Sequence, residues 1–295
     1  MSYIQLYTYP TLTFGGIKKS EEAKYAVLGV PFDFTSTYRP GSRFGPSSIR
    51  EASQNLETYC FRNGLDVEDL SIQDIGDLGI LENLDGTLQR LQLVLKEVGD
   101  SNKKIIVLGG EHTITYGSAQ TFKDVAIVSF DAHMDLRNEY LGSKLSHATF
   151  MRRLCENVGS EKVIEVGPRA VCREELDFAE STGLKYVTSP EVARCGVKNT
   201  IKRIRDKLSS FSRIYVTIDM DVLDPAYAPG VGNPVPEGLS PTVLLDLLQG
   251  LCDKRVVGFD VVEVSPQYDS GLTSLQASHI IFNIIAFLEK AQKHL

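Results

Sequence analysis

Short apolar runs alternate along the whole chain with longer stretches in which apolar residues recur every three or four positions. Several of the runs consist almost entirely of valine and isoleucine, which is typical of strands covered on both faces. The pattern predicts eight strands, at residues 25–30, 71–75, 104–108, 125–130, 163–166, 185–187, 213–218 and 256–262.

The stretches between these runs carry the signals of helices. Leucine and valine recur at spacings of three and four from Leu88 to Val98, and Asp85 stands ahead of them as a possible N-cap. Ser240 followed by Pro241 predicts the start of another helix, because serine caps a helix and proline is accepted in its first turn.

Alternating strands and helices predict a mostly parallel sheet in an α/β fold. A final amphipathic helix over about residues 274–292 is expected to pack on this sheet. No proline- or glycine-rich linker and no repeat divides the chain, so residues 1–295 are interpreted as a single domain. The pattern leaves open whether the sheet is an open doubly wound one or a closed eightfold barrel. Both place their chemistry at the carboxyl ends of the strands.

Composition and charge exclude several partners. The chain is 42% hydrophobic and 23% charged, with a net charge of −7, which argues against nucleic-acid backbones and anionic membranes as partners. No apolar stretch approaches the roughly 20 residues that span a bilayer, and no basic segment followed by an apolar one marks a secretory signal. We therefore expect a cytoplasmic protein. Five cysteines without CxxC spacing are predicted to be small buried hydrophobes, namely Cys60, Cys155, Cys172, Cys195 and Cys252.

Acidic residues and histidines follow four of the predicted strands, at the point where each strand ends. They are His112, then Asp131, His133 and Asp135, then Asp219 and Asp221, and finally Glu263. Because neighbouring strands lie about 5 Å apart, we expect these groups to meet in one cleft.

The candidate ligands are two imidazoles and four carboxylates. That is too many acids for one structural zinc, which takes four ligands and prefers thiolate and imidazole. Oxygen-rich ligation with some imidazole suits manganese, and shared carboxylates could hold two ions. Two such ions can share one water and lower its pKa, which produces a hydroxide nucleophile. Such a cluster keeps a small negative charge and favours a cationic substrate.

Each motif alone also has a plain structural interpretation. An Asp-x-Asp after a strand is more often a helix cap or a turn. Taken alone, His147 would be a histidine near the start of a helix, with acid–base work the less common role. Asn138 could reach the cleft and bind substrate, although asparagine at such a position more often stabilises a turn. His279 and His294, on the terminal helix, are expected to be structural or on the surface. The joint occurrence of the motifs at separate strand ends favours a metal site.

Five segments together resemble the ureohydrolase family of arginases and agmatinases. They are GGEHTITYG, SFDAHMDLRNEY, SHATFMRR, YVTIDMDVLDPAYAPGVGNP and GFDVVEVSPQYD. The resemblance runs from about residue 29 to the terminal helix. It implies a three-layer α/β/α domain with an open, mainly parallel eight-stranded sheet. It also implies a binuclear manganese centre, two Mn²⁺ per chain, that hydrolyses a guanidinium group to urea and an amine.

The resemblance also implies a role for each site residue. One manganese would be held by His112, Asp131, Asp135 and Asp219, and the other by His133, Asp131, Asp219 and Asp221. Glu263 resembles the acid that receives the guanidinium group, and His147 matches the histidine assigned to proton transfer and substrate contact. Asp135 is expected to relay a proton to the departing amine.

The finer motifs look more like those of agmatinases than those of arginases. The segment RPGSRFGP and the Glu in GGEH support this, and the aspartate expected of an arginase near Ala170 and Val171 is absent. The expected reaction therefore converts agmatine to putrescine and urea, a step of polyamine biosynthesis. Ala148 and Glu237 stand where many members carry glycine, so aminopropylagmatine, guanidinobutyrate and arginine remain alternatives.

Two further expectations come from the resemblance. A zinc amide deacetylase of the same fold is the alternative from another reaction class, and retention of all six acid and histidine ligands speaks against it. The family commonly forms trimers or hexamers, so a homo-oligomer is expected.

Overall fold

A nine-stranded sheet forms the middle layer of the molecule. The structure is a computed structural model that describes residues 2–16 and 22–293. The strands within these ranges are β1 (Thr8–Tyr9), β2 (Tyr25–Val30), β3 (Tyr59–Cys60), β4 (Leu65–Asp66), β5 (Ile72–Leu78), β6 (Lys104–Gly109), β7 (Ala126–Phe130), β8 (Val163–Val166), β9 (Lys185–Val187), β10 (Ile214–Asp219) and β11 (Val256–Val262).

The main sheet has the strand order β1-β5-β2-β6-β11-β10-β7-β8-β9. All eight predicted strands are present and parallel to one another. The sheet is open, which excludes the barrel. It differs from the eight-stranded expectation by β1, a two-residue antiparallel edge strand on β5. This strand is too short to show an alternating pattern. Strands β3 and β4 form a separate hairpin.

Helices cover both faces of the sheet and produce the three layers that were predicted. They are α1 (Tyr3–Tyr7), α2 (Gly45–Ser53), α3 (Leu84–Asp100), α4 (Ile114–Gln120), α5 (Phe150–Val158), α6 (Arg173–Thr182), α7 (Ser189–Lys207), α8 (Pro241–Leu251) and α9 (Leu272–Lys293). Helices α2, α7, α8 and α9 pack on one face, and the other helices pack on the opposite face.

The helix starts match the sequence signals with one exception. Ser240 caps α8 as predicted, since its hydroxyl accepts a hydrogen bond from the N–H of Val243 at 3.3 Å. The prediction of Asp85 as the cap of α3 is wrong. Asn83 caps this helix by accepting from the N–H of Gly86 at 2.7 Å, and Asp85 lies in the first turn, where its charge favours the helix dipole.

Helix α9 is the one described helix that is long and apolar enough to cross a bilayer by length and composition. It begins two residues before the predicted start. The protein itself buries 78% of its apolar window, where α9 packs against α2, α8 and the sheet. Packing within the fold therefore accounts for its apolar surface.

The cysteines divide into two groups. Cys60, Cys155 and Cys252 are buried, as predicted, but Cys172 is half-buried and Cys195 is exposed, so the prediction is wrong for these two. Cys172 is the N-cap residue of α6, and Cys195 lies on the exposed side of α7 next to the kink at Gly196. His279 is exposed and contacts Asn283 one turn later. His294 lies outside the described residues.

Candidate active site

Four adjacent strands deliver the predicted ligands to one edge of the sheet. His112 follows β6, the segment 131–135 follows β7, Asp219 ends β10, and Glu263 follows β11. These strands are neighbours in the order β6-β11-β10-β7. Together with Asp221 and His147, their side chains surround a cavity of about 370 Å³, beside which Asp131 is buried. The carboxyl ends of these parallel strands therefore lie side by side, and their polar residues meet at one cavity, as expected from the sequence.

The segment after β7 is a loop rather than a continuation of the strand. Strand periodicity alone therefore does not align its three polar residues. Asp135 has a φ of 53°, and Glu263 has a φ of 64°. Residues other than glycine rarely adopt this left-handed conformation, which costs free energy and is enriched at functional sites.

The first group of possible ligands gathers around His112. Its Nδ1 atom lies 2.9 Å from Oδ2 of Asp131, 3.3 Å from Oδ2 of Asp219 and 3.8 Å from Oδ2 of Asp135. Ligand atoms of His112, Asp131 and Asp219 all lie within 4.8 Å of one another. Such spacing suits several ligands of one cation.

The second group gathers around His133. Its Nδ1 atom lies 3.1 Å from Oδ2 of Asp221 and 3.6 Å from Oδ1 of Asp131. Asp131 therefore presents one carboxylate oxygen to each group, which is the arrangement of a bridging ligand. Asp219 lies with the first group, and its Oδ1 atom accepts the N–H of Asp221 at 2.8 Å. The compact second group consists of Asp131, His133 and Asp221.

The hydrogen bonding of His112 fits a metal ligand. Its Nε2 atom lies 2.7 Å from the hydroxyl of Thr217, which donates to the buried Asp260 at 2.5 Å. Its Nδ1 atom is buried and has no hydrogen-bond partner. Histidines that bind metals almost always donate the other ring N–H to such a partner. In the neutral form that binds a metal, the Nδ1 lone pair would face the space between the carboxylates, and mixed oxygen and imidazole donors suit a divalent cation such as manganese.

The protein buries more negative charge here than its histidines balance. Burial and the neighbouring carboxylates raise the pKa of Asp219 and of Asp135 well above the usual range. Burial alone would lower the pKa of His112, but Asp131 and Asp135 raise it to about 9. Burial, reinforced by Glu111, raises the pKa of Glu263 to about 8. Bound cations would relieve this repulsion.

His147 differs from the other two histidines of the site. Burial, reinforced by positive charge at His133, lowers its pKa to about 4. Its ring lies edge-on to Tyr140, with 5.7 Å between the ring centres. His147 is therefore a neutral imidazole at neutral pH, placed on the wall of the cavity.

Two threonines beside His147, Thr35 and Thr37, were not singled out from the sequence, and Glu111 was noted there only as a motif residue typical of agmatinases. The hydroxyl of Thr35 lies 3.2 Å from Nδ1 of His147, and that of Thr37 lies 3.4 Å from its Nε2. Glu111 accepts hydrogen bonds from Thr35. The two threonines lie in the loop after β2, which neighbours β6. A fifth strand end, followed by Asp33 and several hydroxyl residues, was the signal that could have found them.

Asn138 is the one predicted site residue that the structure does not bring to the cavity. Its side chain is exposed, and its oxygen accepts a hydrogen bond from Arg153 at 3.0 Å. This agrees with the structural interpretation of that asparagine. Of the two departures from glycine, Ala148 lines the cavity, whereas Glu237 lies elsewhere on the surface.

The sequence as a whole matches the arginase family over residues 23–286. The chain belongs to the arginase family. Members of this family generally depend on a binuclear metal centre, and the groups around His112 and His133 are the candidate centre in this chain.

Individual relatives cover nearly the full length of the chain. It is 37% identical to an agmatinase of Bacillus cereus over 88% of its length and 90% of that protein. It is 34% identical to an N(1)-aminopropylagmatine ureohydrolase of Thermococcus kodakarensis, over 97% and 98% of the two chains. The structure of an agmatine ureohydrolase of Thermoplasma volcanium superimposes with a TM-score of 0.90 at 38% identity, covering 97% and 98% of the chains. These matches support a hydrolase with the arginase fold.

Proposed function

We propose that this protein is a manganese-dependent agmatinase that cleaves agmatine to putrescine and urea. The observation that carries the proposal is the pair of ligand groups that share Asp131 and lie beside Glu263 in one cavity. Relatives named agmatinase or agmatine ureohydrolase support the choice of substrate.

Two manganese ions would be held by the residues that the resemblance assigns. These are His112, Asp131, Asp135 and Asp219 for one ion, and His133, Asp131, Asp219 and Asp221 for the other. When bound, the ions would supply an activated water and stabilise negative charge that develops during the reaction.

Glu263 is proposed to bind the guanidinium group of the substrate. Its Oε1 atom accepts the backbone N–H of His112 at 2.8 Å, which fixes the carboxylate at the cavity wall. Planar guanidinium donors match a carboxylate closely. A bound guanidinium would also favour the ionised form of Glu263, whose pKa burial otherwise raises.

Asp135 and His147 are proposed to handle protons. Both line the cavity. Asp135 would receive the proton of the attacking water and pass it to the departing nitrogen, so that the C–N bond breaks and the amine leaves as a neutral group that takes up its further proton from solvent. The neutral imidazole of His147 would accept a proton and return the site to its starting protonation state.

The candidate guanidino substrates differ in the end of the molecule opposite the guanidinium group, and contacts to that end determine which substrate is preferred. Ala170 and Val171 line the cavity where the resemblance places an acidic contact to arginine, so arginine lacks that contact here. The amine tail of agmatine has no carboxylate to bind. The relative named N(1)-aminopropylagmatine ureohydrolase makes aminopropylagmatine the second candidate. We further propose that the enzyme works in the cytoplasm as a homo-oligomer.

A substrate panel tests this proposal. Purified protein loaded with manganese is given agmatine, aminopropylagmatine, guanidinobutyrate and arginine, and urea is measured. We expect the highest kcat/KM for agmatine. Higher kcat/KM for another compound would reassign the substrate, and no urea from any of them would refute the ureohydrolase proposal.

A further inference from the structure

We propose that Glu111 is a positioning residue that determines, through Thr35, which ring nitrogen of His147 carries the proton. This inference rests on the proposed function for its catalytic consequence. The hydrogen bonds that support it join the loop after β2 to His147 and to the segment after β6 that contains Glu111, and none of them involves a metal.

Glu111 is fully buried and surrounded by hydrogen-bond donors. Its Oε2 atom accepts the backbone N–H groups of Thr35 at 2.7 Å and Ser36 at 3.1 Å. Its Oε1 atom accepts the hydroxyls of Thr35 at 2.6 Å and Thr113 at 2.5 Å. Four donors point at these two oxygens, which are the surroundings of an ionised carboxylate. Because an ionised carboxylate can only accept, the single hydroxyl proton of Thr35 is donated to Glu111.

Thr35 Oγ1 is then left with lone pairs alone. It accepts the backbone N–H of His147 at 3.0 Å and lies 3.2 Å from Nδ1 of the same residue. Since the hydroxyl proton is already used, Nδ1 must be the donor in this contact. Neutral His147 is therefore protonated on Nδ1.

The Nδ1–H tautomer leaves Nε2 unprotonated. This nitrogen lies 3.4 Å from the hydroxyl of Thr37, and both residues line the cavity. A base must present a lone pair to the proton that it accepts. The hydrogen bonds from Glu111 through Thr35 to His147 thus leave Nε2 free to accept a proton in the cavity.

Replacing Glu111 with glutamine should reverse the direction of the hydrogen bonds that run from His147 through Thr35 to residue 111. The side-chain oxygen of glutamine is required by the N–H groups of Thr35 and Ser36, so its NH₂ group occupies the place of Oε1. The amide then donates to Thr35, whose hydroxyl proton becomes available to Nδ1 of His147. We expect the Nε2–H tautomer in Glu111→Gln. The two side chains have nearly the same shape, so the fold should be kept.

Solid-state ¹⁵N NMR of metal-free protein labelled with ¹⁵N-histidine measures the tautomer directly. At pH 7.5 His147 is neutral, and its signals are assigned by their absence from His147→Gln. We expect Nδ1–H in the wild type and in Ser36→Ala. This control removes a hydroxyl that also donates to Glu111 but makes no hydrogen bond to His147. Glu111→Gln should show Nε2–H. The same tautomer in the wild type and Glu111→Gln would overturn the inference.

Urea formation from agmatine gives the second readout. Loss of a correctly prepared base should lower kcat of Glu111→Gln and Thr35→Val by about 10²-fold with little change in KM. Thr35→Ser keeps the hydroxyl and should restore most of kcat. Wild-type kcat in Glu111→Gln would contradict the positioning role. If the wild type itself forms no urea, the proposed function fails, and the NMR result alone decides the tautomer.

Discussion

At the residue scale, backbone strain occurs both at positions that serve the site and at positions that do not. Asp135, Glu237 and Glu263 all have left-handed φ values. Asp135 and Glu263 line the cavity, where such strain is common because a side chain must be aimed. Glu237 is exposed and outside this cavity, with a φ of 65°. Its strain has no role in the site, and glycine would suit the position.

Glu237→Gly should therefore stabilise the protein. A non-glycine residue in this conformation costs roughly 1–2 kcal/mol, and the greater freedom of glycine in the unfolded chain offsets part of the gain. We expect the free energy of unfolding to rise by up to about 1 kcal/mol in urea denaturation. Glu237→Ala keeps the Cβ atom and is the matched control, with no expected gain. An equal gain in both variants would show that the backbone is not the cause.

His147 should make the stability of the metal-free protein depend on pH. Its pKa is about 4 in the folded protein, against about 6.5 in an unfolded chain. As the pH falls below 6.5, the unfolded chain takes up the proton first, so the folded state loses stability down to pH 4. Relative to His147→Gln, the wild type should lose about 2 kcal/mol between pH 7.5 and pH 5. Parallel pH profiles of the two proteins by chemical denaturation would contradict the buried neutral imidazole.

The sequence pointed to the strand-end residues that the structure gathers at the cavity, because charged residues directly after apolar strands stand out. It did not predict Thr35 and Thr37. Their contact with His147 depends on β2 lying beside β6, an order that no local pattern contains. Asn138 was predicted to be able to reach the cavity, but it does not line it. It lies only three residues after Asp135, but closeness in sequence does not determine where a loop side chain points.

At the scale of elements, α2 is joined to the sheet by a buried ion pair. Arg50 of α2 is fully buried. It donates to Asp74 at 2.8 and 3.0 Å and contacts Asp77 at 2.5 Å, both in β5. Apolar patterning predicted the strand β5, whereas no helix over Gly45–Ser53 was predicted. The pattern could not reveal this buried arginine either, because apolar patterning assigns charged residues to the surface.

Arg50→Met should destabilise the protein strongly. The substitution removes the cation and leaves two carboxylates without their partner, which typically costs about 3–5 kcal/mol. The exposed pair of Lys202 with Asp206 on α7 provides the comparison. Lys202→Met should change the free energy of unfolding by less than about 1 kcal/mol. Equal effects of the two substitutions in chemical denaturation would refute the structural role of Arg50.

At the scale of the whole molecule, the parallel sheet gathers distant parts of the sequence at one edge. The fold class could be predicted because near-continuous apolar strands alternate with helices. The strand order and the edge strand β1 required the structure. Burial and neighbouring carboxylates raise the pKa values of Asp135 and Asp219, so the site is built to accept positive charge.

The number of manganese ions bound per chain tests this account most directly. After equilibrium dialysis against manganese, elemental analysis should find two ions per chain in the wild type. Asp221→Asn, which changes only the group around His133, should keep about one, and Asp131→Asn, which changes both groups, should keep fewer than one. Two ions retained in Asp131→Asn, or none in the wild type, would contradict the shared binuclear centre.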